Sequence, residues 1–244
     1  MQKNRDPLLP AELPLMVDLD GTLLPFDCSV ILAGYAMRHD PLRFFSQLWR
    51  ILPWLIWDRG ALKTWLWKTQ GAALEAALPR IPWRQAVQRW LFEEQAAGRQ
   101  LFLVTGSAQG VADAVAAHWG CFAAALGASP GVNLVGKTKA AALTPPFAYV
   151  GDSARDLDVW PQAEVAIGVA LEAGVRRRIQ VPIARLFGGP RATFRQSLAF
   201  LSLFRGKPYF AYFGKSLALM SLFQGKPCCL YFGENLVLLI SGKA

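Results

Sequence analysis

Residues 15–22, which read Leu-Met-Val-Asp-Leu-Asp-Gly-Thr, decide the fold of this chain. The apolar run at 15–19 is typical of a buried β-strand, and Gly21 marks the turn that leaves its carboxyl end. Asp18 and Asp20 stand where this strand ends. Because parallel sheets bind ligands at the carboxyl ends of their strands, the stretch predicts an acidic site at the rim of such a sheet.

Three further apolar runs predict strands, at residues 101–104, 147–150 and 165–169. Thr-Gly-Ser at 105–107 follows the first of them, before a predicted helix at 108–119, and Gly-Asp-Ser at 151–153 follows the second. Strands that alternate with helices are typical of a parallel sheet covered by helices on its faces. We therefore predict an α/β fold: a Rossmann-like parallel sheet core formed by residues 1–26 and 98–185, with an inserted helical cap and a basic apolar C-terminal tail.

The cap is predicted at residues 27–97, where the alternation of strands and helices is interrupted. Its predicted helices lie at 30–38, 41–57, 61–77 and 83–97, and it contains seven of the nine tryptophans. Two interpretations of these aromatic residues stay open. They form the core of the cap, or they form a face in the membrane interface, where Arg59, Lys63 and Lys68 would contact lipid headgroups.

The predicted tail, residues 186–244, lies in the basic part of the chain. Residues 1–175 carry 15 basic and 16 acidic side chains, whereas residues 176–244 carry 11 basic side chains and one acidic. A basic tail suits an anionic surface, and its many Leu and Phe residues favour lipid over nucleic acid. Residues 197–215 match residues 216–234 at a period of 19. We expect contact with an anionic membrane surface through the tail and the cap, and no nucleic-acid partner.

The composition excludes several classes of protein. With 53% hydrophobic and 18% charged residues, the chain can bury a sizeable core and is not disordered. No run approaches the roughly 20 apolar residues of a membrane-spanning helix, and the polar N-terminus lacks a signal-peptide core. The four cysteines and two histidines show neither zinc-site spacing nor a disulfide framework. We expect a cytoplasmic protein, with peripheral binding to the inner face of the membrane as a further option; the sequence does not predict its oligomeric state.

The acidic clusters favour phosphoryl transfer through a covalent aspartate. Of Asp18 and Asp20, one would attack phosphorus while the other protonates the leaving oxygen and then activates water. Carboxylates so close repel each other, which predicts a Mg²⁺ ion. Asp152 and Asp156 are the second source of metal ligands.

The phosphate itself needs donors and a positive charge. Thr105 and Gly106 offer a hydroxyl and an unobstructed N–H near a helix start. A lysine is needed to balance the charge of the phosphoryl group, and Lys137 and Lys139 both lie between the acidic clusters.

Four stretches in this order resemble the haloacid dehalogenase (HAD) superfamily of phosphatases. They are DLDGT at 18–22, LVTGS at 103–107, KAAAL at 139–143 and GDSARD at 151–156. The cap resembles that of the phosphoserine-phosphatase-like branch. More narrowly, residues 14–170 resemble the phosphatase-like domain that is fused ahead of UbiA-type prenyltransferases in some bacteria; no Asp-rich prenyl-diphosphate motif follows in this chain.

The resemblance implies a Mg²⁺-dependent phosphomonoester hydrolase. The apolar, Trp-rich cap suggests a small amphiphilic or lipid-linked phosphate as the substrate. The resemblance makes Asp18 the nucleophile and Asp20 the general acid and base. Phosphate binding falls on Thr105, Gly106 and Lys139, and Mg²⁺ binding on Asp18, Asp20, Asp152 and Asp156.

Two alternative functions stay open. Residues 131–138, Gly-Val-Asn-Leu-Val-Gly-Lys-Thr, match the phosphate-binding loop of nucleotide-binding proteins, although Pro145 and Pro146 would shorten the helix that should follow. The basic tail is also compatible with a membrane-docked binding or scaffold module whose catalysis is secondary.

Overall fold

The structure is a computed structural model that describes residues 7–39, 41–189, 229–232 and 236–239. The chain divides into two compact units, Met1–Arg205 and Gly206–Ala244. The strands of the first unit are β1 (Leu15–Val17), β2 (Leu101–Ala108), β3 (Ala124–Ala128), β4 (Ala148–Gly151), β5 (Val165–Val169) and β6 (Ile183–Phe187). Its helices are α1 (Cys28–His39), α2 (Pro41–Ser46), α3 (Leu48–Trp57), α4 (Arg59–Ala77), α5 (Gln85–Ala96), α6 (Gln109–Trp119), α7 (Lys137–Ala141) and α8 (Ala173–Arg176).

The six strands form one parallel sheet in the order β3-β2-β1-β4-β5-β6. β1 lies in the middle, where Val17 is opposite Leu103 of β2 and Val150 of β4. Every residue of β4 and β5 is buried, as expected of apolar strands in a parallel sheet that is covered on both faces. The predicted α/β fold with a parallel sheet is therefore confirmed.

The sequence pattern does not predict the two edge strands, β3 and β6. The sequence of β3 is Ala-Ala-Leu-Gly-Ala, and alanine and glycine have low intrinsic β propensity. Its pairing with β2 therefore decides its conformation. β6 extends two residues past the predicted end of the core at residue 185.

The insertion between β1 and β2 differs from the prediction in two respects. The predicted helix at 41–57 is two helices, α2 and α3, with Gln47 between them. The helix predicted at 83–97 is α5, whose Trp90 ring lies 5.3 Å from the ring of Phe187 in β6. By this contact α5 packs with the sheet, whereas the sequence pattern predicts it as part of the cap at 27–97.

The tryptophans of the insertion occupy two environments. Five pack in or against the hydrophobic core: Trp54, Trp65, Trp67, Trp83 and Trp90. Trp49 and Trp57, in contrast, are 73% and 79% exposed. Over the described ranges, none of the helices is both long enough and apolar enough to cross a lipid bilayer.

The second unit contains, within its described residues, the antiparallel pair β7 (Cys229–Phe232) and β8 (Leu236–Leu239). Cys229 lies opposite Leu239 in this pair. Apart from β7, the predicted repeat at 197–234 falls outside the described residues.

Candidate active site

Two acidic residues from distant parts of the sequence meet at one edge of the sheet. Asp18 directly follows β1, and Asp152 directly follows the neighbouring strand β4. The Asp18 N–H donates to the Val150 carbonyl at 3.0 Å, so the pairing of the two strands continues up to the acidic residues. The predicted gathering of acidic side chains at the strand ends is therefore present.

Asp18, Asp152 and Asp156 form a buried acidic group. One carboxylate oxygen of each lies within 4.8 Å of those of the other two, and the three residues are 6%, 2% and 2% exposed. Asp156 is fixed by its own turn, because its Oδ2 accepts hydrogen bonds from the Asp152 N–H at 3.1 Å and from the Ser153 N–H at 3.0 Å. The Ser153 hydroxyl donates to the same oxygen at 3.1 Å.

Gly21 leaves the space that Asp152 occupies. Its φ angle is +85°, which is left-handed backbone that glycine adopts without steric cost. A Cβ atom at this position would overlap Oδ2 of Asp152. The glycine of the first motif is thus required by the acidic group as well as by the turn.

Lys139 is the lysine that reaches the acidic group. Its Nζ donates to Oδ1 of Asp18 at 2.7 Å and to the Tyr149 hydroxyl at 3.0 Å. The Tyr149 hydroxyl in turn donates to Oδ1 of Asp156 at 2.7 Å. Lys137 is exposed. Of the two lysines that the sequence offers, only Lys139 is therefore positioned beside the acidic group.

Burial dominates the pKa of Asp18, whereas nearby charge dominates that of Lys139. Burial is the main reason that the pKa of Asp18 is raised to about 8; Lys139 opposes the shift, and the Asp156 and Asp152 carboxylates add to it. For Lys139, burial acts to lower the pKa, but the carboxylates of Asp18 and Asp156 outweigh it and hold the pKa above its ordinary value.

The acidic group fits a divalent cation. When all three carboxylates are ionised, their charge exceeds that of Lys139 by two, and such an excess is costly in a buried site. Carboxylate oxygens are also the ligands that Mg²⁺ prefers. Asp18, Asp152 and Asp156 are the residues that would hold it.

The Asp20 carboxylate is not a member of this group. Its Oδ1 accepts from the Cys28 N–H at 2.8 Å, and its Oδ2 accepts from the Ser107 hydroxyl at 2.6 Å. Burial, followed by the negative charge of Asp27, raises the pKa of Asp20, and its hydrogen bonds act against that shift. A carboxyl group with a raised pKa can hold a proton for transfer to a leaving group.

The predicted phosphate-binding residues lie next to Asp20. Thr105 and Gly106 belong to β2, which runs on to Ala108, so α6 begins three residues after Gly106. The buried Thr105 hydroxyl accepts from the Ser107 N–H at 3.0 Å and lies 3.4 Å from Oδ2 of Asp20.

Lys63 of the insertion points into the molecule, so its predicted contact with lipid headgroups is wrong. Its Nζ donates to the Gly106 carbonyl at 2.5 Å and to Oδ1 of Asn133 at 2.8 Å. Burial is the main cause of a lowered pKa for Lys63, while the negative charges of Asp27 and Asp20 act to raise it. A cationic side chain of α4 therefore lies beside the predicted phosphate-binding residues.

The stretch at 131–138 lacks the geometry of a nucleotide-binding loop. Val132 and Ser129 form a backbone bridge, and Leu134 is buried. The helix that follows, α7, is five residues long. The structure of this stretch therefore does not favour nucleotide binding, although its sequence matches the loop pattern.

Three residues of the site are missed by the sequence analysis: Ser107, Tyr149 and Lys63. Tyr149 lies inside an apolar strand, and its hydroxyl matters only because α7 places Lys139 beside it. A lone hydroxyl in a fully buried strand is the signal that could have identified it. Ser107 is part of the quoted Thr-Gly-Ser stretch, but its role follows from its contact with Asp20.

Comparison with other proteins gives one sequence relative. No protein-family model matches the chain. The uncharacterized protein y4nM of Sinorhizobium fredii is 35% identical over 173 residues, which make up 68% of this chain and 32% of that protein. The chain thus spans about a third of the length of the curated relative that it matches.

Solved structures give the fold. A Bordetella pertussis Tohama I protein of unknown function aligns with a TM-score of 0.52 and 15% identity, covering 69% of this chain and 94% of that one. The HAD family hydrolase t0658 of Salmonella enterica serovar Typhi aligns with a TM-score of 0.50 and 16% identity, covering 81% of this chain and 74% of that one. The parallel sheet and its inserted helices thus have the fold of a HAD family hydrolase.

Proposed function

We propose that the chain is a Mg²⁺-dependent phosphomonoester hydrolase that forms an aspartyl-phosphate at Asp18. The observation that carries the proposal is that two carboxylates of one motif lie in different environments. Asp18 lies in the acidic group with Lys139 on its Oδ1, whereas Asp20 lies outside that group and is bonded to Cys28 and Ser107.

The residues of the chain account for both halves of the reaction. The Asp18 carboxylate attacks phosphorus, and the bond between phosphorus and the leaving oxygen breaks as Asp20 gives its proton to that oxygen. Asp20, now ionised, takes a proton from water, whose oxygen attacks the phosphorus and releases inorganic phosphate and the Asp18 carboxylate. Lys139 holds Asp18 in place and offsets negative charge. Bound Mg²⁺ would supply further charge neutralisation at the phosphoryl oxygens.

The proposed substrate is an amphiphilic or lipid-linked phosphate. The exposed tryptophans of the insertion, Trp49 and Trp57, support this, because an exposed apolar surface suits a substrate with an apolar part. We further infer that this region corresponds to the phosphatase-like domain found ahead of UbiA-type prenyltransferases. The relative y4nM supports that inference, because the matched region makes up 32% of it and further sequence accompanies that region.

Turnover of p-nitrophenyl phosphate with Mg²⁺ tests the chemistry. Asp18→Asn should show no turnover above background, and Asp20→Asn should lose roughly 10²–10⁴-fold in kcat, the usual contribution of a general acid and base. Asp158→Asn is the matched control, since Asp158 is exposed and near the acidic group in sequence. EDTA should abolish the activity and Mg²⁺ should restore it. Turnover that survives in Asp18→Asn, or in EDTA, would show that the proposal is wrong.

A substrate series tests the lipid part separately. Polyprenyl phosphates should give a higher kcat/KM than sugar phosphates or p-nitrophenyl phosphate. The opposite ranking would leave the phosphatase chemistry standing and reject the lipid substrate.

A further inference from the structure

We propose that one face of α3, formed by Trp49, Leu52, Ile56 and Trp57, docks onto the surface of an anionic phospholipid membrane. These four residues are 73%, 42%, 69% and 79% exposed. Membrane docking goes beyond the phosphatase proposal, because it would hold whatever reaction the acidic group performs.

The geometry of α3 gathers these side chains on one side. Positions 49, 52 and 56 are separated by three and four residues, the spacing that aligns side chains along one helix face, and Trp57 widens that face. Ile51, on the opposite side, is 4% exposed and belongs to the hydrophobic core. The helix is therefore anchored by one face and presents two tryptophans and two aliphatic side chains to solvent on the other.

The charge around the α3 face matches anionic lipid. Residues 41–57 contain two arginines and no acidic residue. Arg59, directly after α3, is exposed. The acidic residue beside it, Asp58, accepts hydrogen bonds from the backbone N–H groups of Ala61 at 2.9 Å and Gly131 at 2.9 Å. Its charge is therefore partly offset by the protein itself.

The size and composition of the face favour an interfacial position. Ten residues of helix are about 15 Å long, half the thickness of a bilayer core, so α3 can lie in the membrane surface but cannot cross it. Tryptophan is favoured at the boundary between headgroups and acyl chains, and arginine beside it binds lipid phosphates. This combination of tryptophan with basic residues therefore favours a bilayer surface as the occupant.

Vesicle binding of the full-length protein tests the proposal. The variant Ile56→Ser/Trp57→Ser should lose about tenfold or more in its partition coefficient to vesicles of phosphatidylcholine and phosphatidylglycerol, because it removes apolar surface from the interface. Leu126→Ser/Val132→Ser is the matched control, since each of these residues is apolar and 42% exposed but lies outside α3. The control should bind as the wild type does.

Brominated lipids separate this face from the basic tail. All nine tryptophans precede residue 161, so quenching of tryptophan fluorescence by bromolipid does not report binding by the tail. Trp49→Leu/Trp57→Leu keeps the face apolar and should still bind vesicles, but it should lose most of the quenching seen in the wild type.

Several outcomes would overturn the proposal. Equal vesicle binding by the α3 variant and its control is one, and quenching that persists in Trp49→Leu/Trp57→Leu is another. A change from dimer to monomer in Ile56→Ser/Trp57→Ser, with vesicle binding unchanged, would assign the face to a second copy. Turnover of soluble p-nitrophenyl phosphate by the same variants reports on the phosphatase proposal independently, because α3 contributes no residue to the acidic group.

Discussion

Lys139→Met should destabilise the metal-free protein more than almost any other single substitution at the site. The lysine is 4% exposed, its Nζ lies 2.7 Å from Oδ1 of Asp18, and it lies 3.9 Å from Oδ1 of Asp156. Removing one partner of a buried ion pair typically costs about 3–5 kcal/mol, because the remaining charge is left buried. Methionine nearly preserves the volume, so the loss should come from charge rather than from a cavity.

Urea unfolding in EDTA at pH 8.5, above the pKa of Asp18, measures this loss. With a urea dependence of about 2 kcal/mol per molar, the midpoint should fall by about 1.5–2.5 M. Lys137→Met is the control: Lys137 lies two residues away but is exposed, and its substitution should change the free energy of unfolding by no more than about 0.5 kcal/mol. If both variants unfold at the same urea concentration, the buried ion pair does not exist as described.

The loss should also depend on pH and on metal. The pKa of Asp18 in the folded protein, about 8, lies above its ordinary value of 3.8, so folding favours the protonated form and ionisation destabilises the fold as pH rises toward 8. Lys139 acts to lower this pKa, so its removal should matter more at pH 8.5 than at pH 5.5. Excess Mg²⁺ should recover part of the loss, by about 2.7 kcal/mol at 100 times the dissociation constant.

Three further substitutions probe the neighbours of this pair. Gly21→Ala should cost at least about 1–2 kcal/mol for its left-handed backbone alone, plus the overlap with Asp152, as measured by urea unfolding. Tyr149→Phe removes the hydroxyl between the lysine and the acidic group and should lower the free energy of unfolding by about 1–3 kcal/mol. Lys63→Met releases the Gly106 carbonyl and should lower kcat/KM for p-nitrophenyl phosphate by about tenfold, since a hydrogen bond from a charged group contributes about 1.5–3 kcal/mol.

Each of these substitutions has its own check. Gly174→Ala is the control for Gly21, because nothing lies within 4 Å of a Cβ atom placed there; equal midpoints would contradict the overlap. Lys68→Met is the control for Lys63, since Lys68 lies on the same helix but is exposed. Equal kcat/KM values for these two lysine variants would show that the Gly106 contact has no role in turnover. A melting temperature of Tyr149→Phe equal to that of the wild type would contradict the proposed role of its hydroxyl.

The acidic group could be predicted from sequence because its members follow apolar strands. Val17 and Val150 each sit in a run that reads as a buried strand, and in a parallel sheet the residues that come next share one edge. The register of β1 and β4 then brings Asp18 and Asp152 together. The local sequence pattern and the tertiary arrangement agree here, so the positions of the motifs are sufficient to predict that Asp18 and Asp152 lie close together.

The positions that the sequence pattern does not reveal depend on long-range packing. Lys63 follows a helical pattern that is equally compatible with an outward side chain; the contact of α4 with the loop at 129–133 decides its direction. A Cβ atom on Gly60 would overlap the Ser129 carbonyl, which shows how closely α4 approaches that loop. The sequence pattern does not predict β3 because its residues have poor intrinsic β propensity. Its pairing with β2 overrides that propensity in the folded protein.

The order of the strands has a consequence for how such a protein can diversify. Two adjacent parallel strands need a crossover of a dozen or more residues, and α5, with the loops on either side of it, already supplies the connection between β1 and β2. The helices α1 to α4 are therefore not needed to connect β1 with β2. They can be lengthened or exchanged without altering which strands are neighbours, so Asp18 and Asp152 would stay at one edge of the sheet in a descendant. Such an exchange would have to keep the contacts of Cys28 with Asp20 and of Lys63 with Gly106.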